Sequence, residues 1–236
     1  MKSLKILVPA LFVLTLTSIF ISCKKNKDND RKLTCRVSSF TGIGDKPVVL
    51  TYNQEGKVSR ISTGFHVVTI SSDGNKKTIV TLDTGKFNQR SIVTENAAGL
   101  ATNVRLETTI DGTTFFNTAF EYDGEEVSRS VATNSEGTPP VITTFTWANH
   151  NMVSQTSDGS TVTFDYFLDK PRQDGDFLFL LQTIQGFETI RSKNLIKTFA
   201  TGASFTYDFN AEGNIASLQA NQPGSIVIVD YVYDCN

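Results

Sequence analysis

Two histidines, three cysteines and twenty-four carboxylates are the side chains from which this 236-residue sequence would have to build a catalytic or metal centre. His66 falls inside an alternating strand pattern and His150 in a hairpin turn. Neither has a histidine four residues away or a Cys-x-x-Cys nearby, so the spacing that holds zinc is missing. A serine triad needs a histidine beside a nucleophile, and no Gly-x-Ser-x-Gly elbow is present. Paired carboxylates of the glycosidase kind would have to meet across a sheet. Yet Asp73, Asp111, Asp123 and Asp158 sit in turns, and Glu55, Glu136 and Glu212 lie beside turn glycines. Asp169, Asp174 and Asp176 gather around Pro171 without the twelve-residue loop and closing Glu that hold calcium, which leaves helix capping as their use. Gly42-Ile43-Gly44 lacks the third glycine and the helix of a phosphate-binding turn. The reading is a protein that is not an enzyme, with no cofactor and no metal.

Aromatic residues carry more information. Phe115, Phe116, Phe120, Tyr122, Phe145, Trp147, Phe164 and Tyr166 fall in successive strands. Strands and cross-strand pairs favour aromatics, so most belong to a core. A ladder presenting Trp147, Tyr122 and Tyr166 to a sugar is the alternative.

The elements that position these residues begin after a leader. Lys2 and Lys5 precede an uncharged run from Ile6 to Ile21, the layout of a secretory signal over residues 1–22. A signal anchor is the rival reading, but sixteen residues containing Pro9 fall short of the roughly 20 that span a bilayer. Phe20-Ile21-Ser22-Cys23 resembles a bacterial lipobox, which implies a lipid on Cys23 and a membrane as partner. Residues 23–32, rich in Lys, Asn and Asp, contain nothing to bury and read as a tether. The expected address is the cell envelope, on the periplasmic or surface face of the outer membrane.

Beyond the signal the chain holds 20 basic and 24 acidic residues, a net charge of −4 that disfavours nucleic acid. Residues 33–236 suit one β domain. Cys35 and Cys235 stand at its two ends in an oxidising compartment, which predicts a disulfide that makes the first and last strands neighbours. Two buried free thiols are the alternative.

From residue 33 onward alternation broken by turn residues dominates. Val67–Ile70 and Thr78–Leu82 flank Ser72-Asp73-Gly74-Asn75; Val104–Ile110 and Thr113–Phe120 flank Asp111-Gly112; Val153–Thr156 and Thr161–Phe167 flank Asp158-Gly159. Asp-Gly pairs suit tight type I′ turns. Ile226–Val229, apolar on both faces, predicts a central strand or one beneath a covering element. One segment breaks the rhythm: Phe177, Leu180, Leu181 and Ile184 follow a helical stripe, with Asp174 or Asp176 to cap it and Gly186 to end it. The fold expected is an all-β antiparallel meander, twisted or half-rolled, with one short helix near 176–187 packed on the sheet.

A repeat aligns Tyr52-Asn53-Gln54-Glu55-Gly56-Lys57-Val58, Phe209-Asn210-Ala211-Glu212-Gly213-Asn214-Ile215, Trp147-Ala148-Asn149-His150-Asn151-Met152-Val153 and the shorter Tyr122-Asp123-Gly124-Glu125-Glu126-Val127. Each has an aromatic ending one strand, a polar turn, and an apolar residue opening the next. These hairpins, with Ser192-Lys193-Asn194-Leu195 after the helix, Phe205-Thr206-Tyr207-Asp208, and the terminal Asp230-Tyr231-Val232-Tyr233-Asp234-Cys235, resemble YD-repeat-like lipoproteins of Bacteroidetes, a domain of unknown function. The resemblance covers about residues 33–236 and implies no activity. The functional expectation is a binding module for a glycan or an envelope protein, with an envelope scaffold as the alternative and a glycan-active enzyme ranked behind both.

Overall fold

In the computed structural model, residues 35–199 and 202–235 are described. The strands are β1 Cys35–Gly42, β2 Gly44–Tyr52, β3 Val58–Ser62, β4 His66–Asp73, β5 Lys76–Asp83, β6 Lys86–Glu95, β7 Ala101–Glu107 and β8 Phe115–Asp123. They continue as β9 Glu126–Asn134, β10 Val141–Ala148, β11 Asn151–Ser157, β12 Ser160–Pro171, β13 Asn194–Phe199, β14 Ala203–Phe209, β15 Ile215–Gln222 and β16 Ser225–Cys235. Each strand pairs antiparallel with the next, and β16 pairs with β1, so the meander closes into a sixteen-stranded barrel. The half-rolled sheet expected from sequence is thus corrected to full closure, which leaves no free strand edge.

Up-and-down order sends alternate hairpins to opposite rims. The β2–β3, β4–β5, β6–β7, β8–β9, β10–β11 and β14–β15 hairpins share one rim with Cys35 and Cys235, whose sulfurs are joined. The β12–β13 connection leaves from this same rim and folds inward as a plug.

The plug holds α1, Phe177–Gln185, the helix found among the described residues. The Asp176 carboxylate accepts from Phe179 N–H, and Gly186 closes the last turn in the left-handed conformation, as the sequence predicts. The buried face differs from the expected stripe. Leu178, Leu180 and Gln182 are buried, whereas Leu181 and Ile184 are 40% and 42% exposed. A helix lying on an open sheet would bury one stripe; this one crosses a lumen. Phe177 at its start sits 4.4 Å from Phe205 on β14. Gly186 at its end abuts Ile70 and Ile79 on β4 and β5, so closely that a Cβ would clash at 2.9 Å. The chain then touches β7 through Ala101 N–H to Glu188 O, and the β10–β11 turn through Lys193 N–H to His150 O.

The Ser-Lys-Asn-Leu segment is the plug's point of return to the wall. Asn194 exchanges hydrogen bonds with Asn151 and donates to the carbonyls of Leu168 and Lys170, while Ser192 Oγ accepts from Met152 N–H.

The repeat has a common geometry at the plug rim. Register breaks place one extra residue on the odd-numbered strand at Ser38, Ser59, Thr102, Ser128, Val153, Lys197 and Ala216. Such bulges increase local twist, which a closed barrel needs. Ser38, Ser59, Thr102 and Ser128 each turn a hydroxyl onto a carbonyl of the facing strand, at 3.1–3.2 Å. The residue before the bulge points inward, and its carbonyl is capped by an aromatic donor from the following strand. Tyr52 caps Val37, Tyr122 caps Ala101, Trp147 caps Val127, Tyr166 caps Met152, Tyr207 caps Ile196 and Tyr233 caps Ile215. A buried carbonyl left without a partner costs about 1–3 kcal/mol, so this ring of donors stabilises what the bulges disturb.

Alternation separates the two wall faces. Inward rows such as Leu50–Ile61–Val68 and Tyr207–Leu218–Val229 are buried. Outward, Glu121–Arg129–Thr144–Thr156–Thr161 forms a hydrophilic row across five strands. A second row, Ser71–Thr78–Ile92–Arg105–Asn117–Thr133, crosses six strands. Near the seam Asp208, Ser217, Asp230 and Thr41 continue the polar surface. Apolar residues do reach the outer wall at Val67, Val80, Leu82 and Val131, and at Ile142, Val49, Ile226, Ile228 and Val232, the last five of which are exposed. The covering element expected over Ile226–Val229 is therefore absent among the described residues; β16 is instead flanked on both sides by β15 and β1. The Asp158-Gly159 turn has both residues at positive φ as expected, whereas Asp111-Gly112 belongs to a wider 108–114 loop in which the Asp111 carboxylate accepts from Thr113.

Candidate functional site

The ring of aromatic donors is interrupted. On β4 no aromatic reaches a wall carbonyl, and on β6 Glu95 stands opposite Ala101 where its counterparts are aromatic, with its carboxylate 2.6 Å from the Lys77 ammonium. Beside this gap a cleft of about 860 Å³ opens at the plug rim. Its outer wall comes from the β2–β3 hairpin and the ends of β3, β4 and β5, through Asn53, Lys57, Val58, Ile70, Ser72 and Lys77. The plug supplies the inner wall, through Arg172, Asp174, Phe179, Gln182, Phe187, Glu188 and Arg191.

Local structure fixes each wall. Asn53 Oδ1 accepts from Glu55 and Lys57 N–H, which folds the first repeat's hairpin over the rim. Arg172 and Arg191, the two ends of the plug, converge on Glu188 at 2.8 and 2.6 Å, and Arg191 also holds Glu125 on the β8–β9 hairpin at 2.8 Å. These two guanidiniums hold the Glu188 carboxyl below the usual carboxylate range against the opposing pull of burial, the largest influence on it. Burial raises Asp174, and it pushes Asp176 up to about 6 although Arg172 stands 3.6 Å away.

Gln182 is the singular residue of the inner wall. It is 9% exposed, and its Nε2 donates to Ile190 O at 2.6 Å, which fixes the amide's orientation. Its Oε1 is buried with no partner. Buried acceptors are nearly always satisfied, so an orphan lining a cleft marks a place where a donor from outside the chain fits.

The residues singled out in sequence are distributed differently. Cys23 lies outside the described residues. Cys35 and Cys235 form the predicted disulfide. Tyr122, Trp147 and Tyr166 point inward: the Tyr122 hydroxyl donates to Ala101 O at 2.7 Å and lies 3.4 Å from Thr189 O on the plug, Trp147 Nε1 donates to Val127 O, and the Tyr166 hydroxyl bridges Met152 O and Ser192 Oγ. None of the three lines the cleft. His66 pairs with Asp83 at the far rim, and His150 with Glu126 in an exposed turn. Sequence reasoning missed Arg172, Glu188 and Arg191. The signal was a set of charges bracketing an apolar helix, which becomes meaningful once that helix is inside a barrel.

No protein-family model matches the chain, and no curated protein matches it. Among solved structures, a porin-like protein from Bacteroides uniformis ATCC 8492 is similar, with a TM-score of 0.59 and 14% identity over 84% of this chain and 98% of that one. A porin-like protein from Bacteroides vulgatus ATCC 8482 matches with a TM-score of 0.55, 14% identity and the same coverage. At this identity the likeness is one of fold.

Proposed function

We propose that this chain is a non-catalytic, lipid-tethered β-barrel of the cell envelope, standing in water beside the outer membrane and serving as a binding module for a glycan or a protein. The observation that carries the reading is the polarity of the barrel wall. A bilayer-spanning barrel needs an outward apolar band about 25 Å tall and keeps a polar lumen. Here two outward rows, one across β4–β9 and one across β8–β12, are Ser, Thr, Asn, Arg and Glu apart from Ile92, while the core residues that β1–β7 and β13–β16 point inward are apolar and pack with the plug. Burying those outward rows in hydrocarbon would leave their polar groups without partners. The plug lying across the lumen also argues against conduction, which leaves the rims and the cleft as working surfaces. The pairing of the cleft's cations with carboxylates, and the distance of both histidines from it, favour binding over catalysis. A second reading, an envelope scaffold, is favoured by the exposed Val49, Ile226, Ile228 and Val232 on the outer wall.

The test uses the full chain in lipid vesicles, with single cysteines introduced as Thr144→Cys and Thr206→Cys on the outer wall. Both are expected to react with a membrane-impermeant maleimide as fast as in detergent-free buffer. Protection of both by lipid, or ion conductance across a planar bilayer, overturns the reading.

A further inference from the structure

We infer that the cleft between the plug and β3–β5 is the binding site, and that it takes an uncharged oligosaccharide whose hydroxyl donates to Gln182 Oε1. This rests on the reading of the chain as a water-exposed binding module and names the site and the ligand class.

Charge is the first argument. Four cations line the cleft, and each is already matched: Lys57 by Glu55 at 3.2 Å, Lys77 by Glu95 at 2.6 Å, Arg172 by Glu188 at 2.8 Å and Arg191 by Glu188 and Glu125. At Lys77, Arg172 and Arg191 an anionic ligand would have to break an ion pair that is partly buried, leaving it the exposed Lys57–Glu55 pair alone, and a cationic one would compete with a fixed guanidinium for Glu188. A neutral ligand does neither.

Surface character is the second. Phe179, Phe187, Val58 and Ile70 give the cleft apolar faces, while Ser72, Asn53 and the buried Gln182 give it hydrogen-bonding groups. A sugar ring presents the matching surface, a C–H face bordered by hydroxyls. The volume lies within the roughly 300–1,000 Å³ usual for small-molecule sites.

The orphan acceptor is the third. Gln182 Oε1 needs a donor, its own Nε2 is committed to Ile190 O, and the plug offers nothing in reach. Neutral hydroxyls are donors that carry no charge into the cleft.

The experiment is isothermal titration of the full chain in detergent with a panel of neutral gluco-, manno- and galacto-oligosaccharides, uronate-containing and sulfated counterparts, and short neutral peptides. Two variants accompany it. Gln182→Leu removes the acceptor, and Ser72→Trp fills the cleft from an exposed position on β4 that leaves the core untouched; an unchanged melting curve for Ser72→Trp shows that the fold is kept. The expected result is saturable binding of at least one neutral oligosaccharide, with a Kd that changes less than about twofold as salt is raised about tenfold, because no ion pair forms. Gln182→Leu should weaken that binding at least tenfold and Ser72→Trp should abolish it. Binding that survives Ser72→Trp, binding confined to charged glycans or to peptides, or no binding of any neutral sugar by the folded chain overturns the inference. Those outcomes leave the water-exposed barrel standing, since maleimide labelling tests it separately.

Discussion

The barrel has two arcs built from the same repeat and finished differently. From β7 through β16 to β2, bulged carbonyls at the plug rim receive an aromatic donor, and the plug packs against the wall through Tyr122, Tyr166 and Tyr233. Between β3 and β6 the donors lapse, Glu95 and Lys77 take their place, and the plug touches the wall through Gly186 at Ile70 and Ile79 while a cleft opens beside that contact. The comparison teaches that an aromatic at this position does two things at once: it satisfies the wall, and it fills the space beside the plug. Where the chain needs an opening, it gives up both.

Four measurements break or sharpen this contrast. The largest effect is expected at the seam inside the donor-rich arc. Cys35→Ser with Cys235→Ser removes a cross-link spanning 200 residues, and the chain-entropy model assigns it about 5 kcal/mol; urea unfolding in oxidising buffer should show a loss approaching that figure. A loss below about 1 kcal/mol would mean that strand pairing alone holds the seam.

Next is Asp176, between the two arcs. Its carboxyl is ordinarily half-protonated near 3.8 and is pushed up to about 6 in the fold, so the proton favours the folded state. The stability this gives is present in full below pH about 4, is lost as pH rises through about 6, and is absent above. Asp176→Asn keeps a capping side chain and does not titrate. Relative to wild type it should gain up to about 3 kcal/mol between pH 4 and pH 7, read from unfolding at each pH. A flat difference would place the carboxyl in a wetter site.

Removing single donors comes third. Tyr122→Phe and Tyr166→Phe each leave a buried carbonyl without its cap and should cost about 1–2 kcal/mol, with hydrogen exchange accelerating in the plug. In the other arc Glu95→Gln should cost less, because the amide oxygen can still accept from the Lys77 ammonium. Equal costs in the two arcs would dissolve the distinction between them.

The smallest effect is a gain. Asn149 and His150 both occupy the left-handed region in the third repeat's turn, at φ 51° and 62°. His150→Gly creates the Asn-Gly pair this turn prefers and should stabilise by about 0.5–1 kcal/mol in thermal unfolding.

Much of the wall was legible in the sequence because hairpin signals are local. Alternation and turn residues located the strands, and Asp176 and Gly186 bounded the helix, since caps depend on residues a few positions apart. Closure was not legible: a meander of this length can stay open or join its ends, and only the spacing of Cys35 and Cys235 hinted at the seam. The helix stripe misled because Leu181 and Ile184 fit an amphipathic pattern that assumes a single sheet beneath, whereas the lumen receives Leu178 and Gln182. The repeat was visible, but its purpose was not. Tyr122, Trp147 and Tyr166 look like a stacking ladder until the bulge at Thr102, Ser128 or Val153 shows which carbonyl each one serves. The cleft was hidden further still, because Gln182 and Ser72 belong to elements that meet only through a connection folded back across the barrel.

The order of strands also constrains assembly. Fifteen of the sixteen seams join strands adjacent in sequence, and one joins β1 to β16 across the whole chain. Sequential hairpins form from nearby residues and carry little loop-closure cost, while the last seam waits for both ends to meet. The plug belongs to the connection before β13, so it can settle against a sheet that is still a curved strip, before β14, β15 and β16 fold over it. A closed strip holds the plug inside, and the sulfurs of Cys35 and Cys235 can fasten it only where its two ends have met.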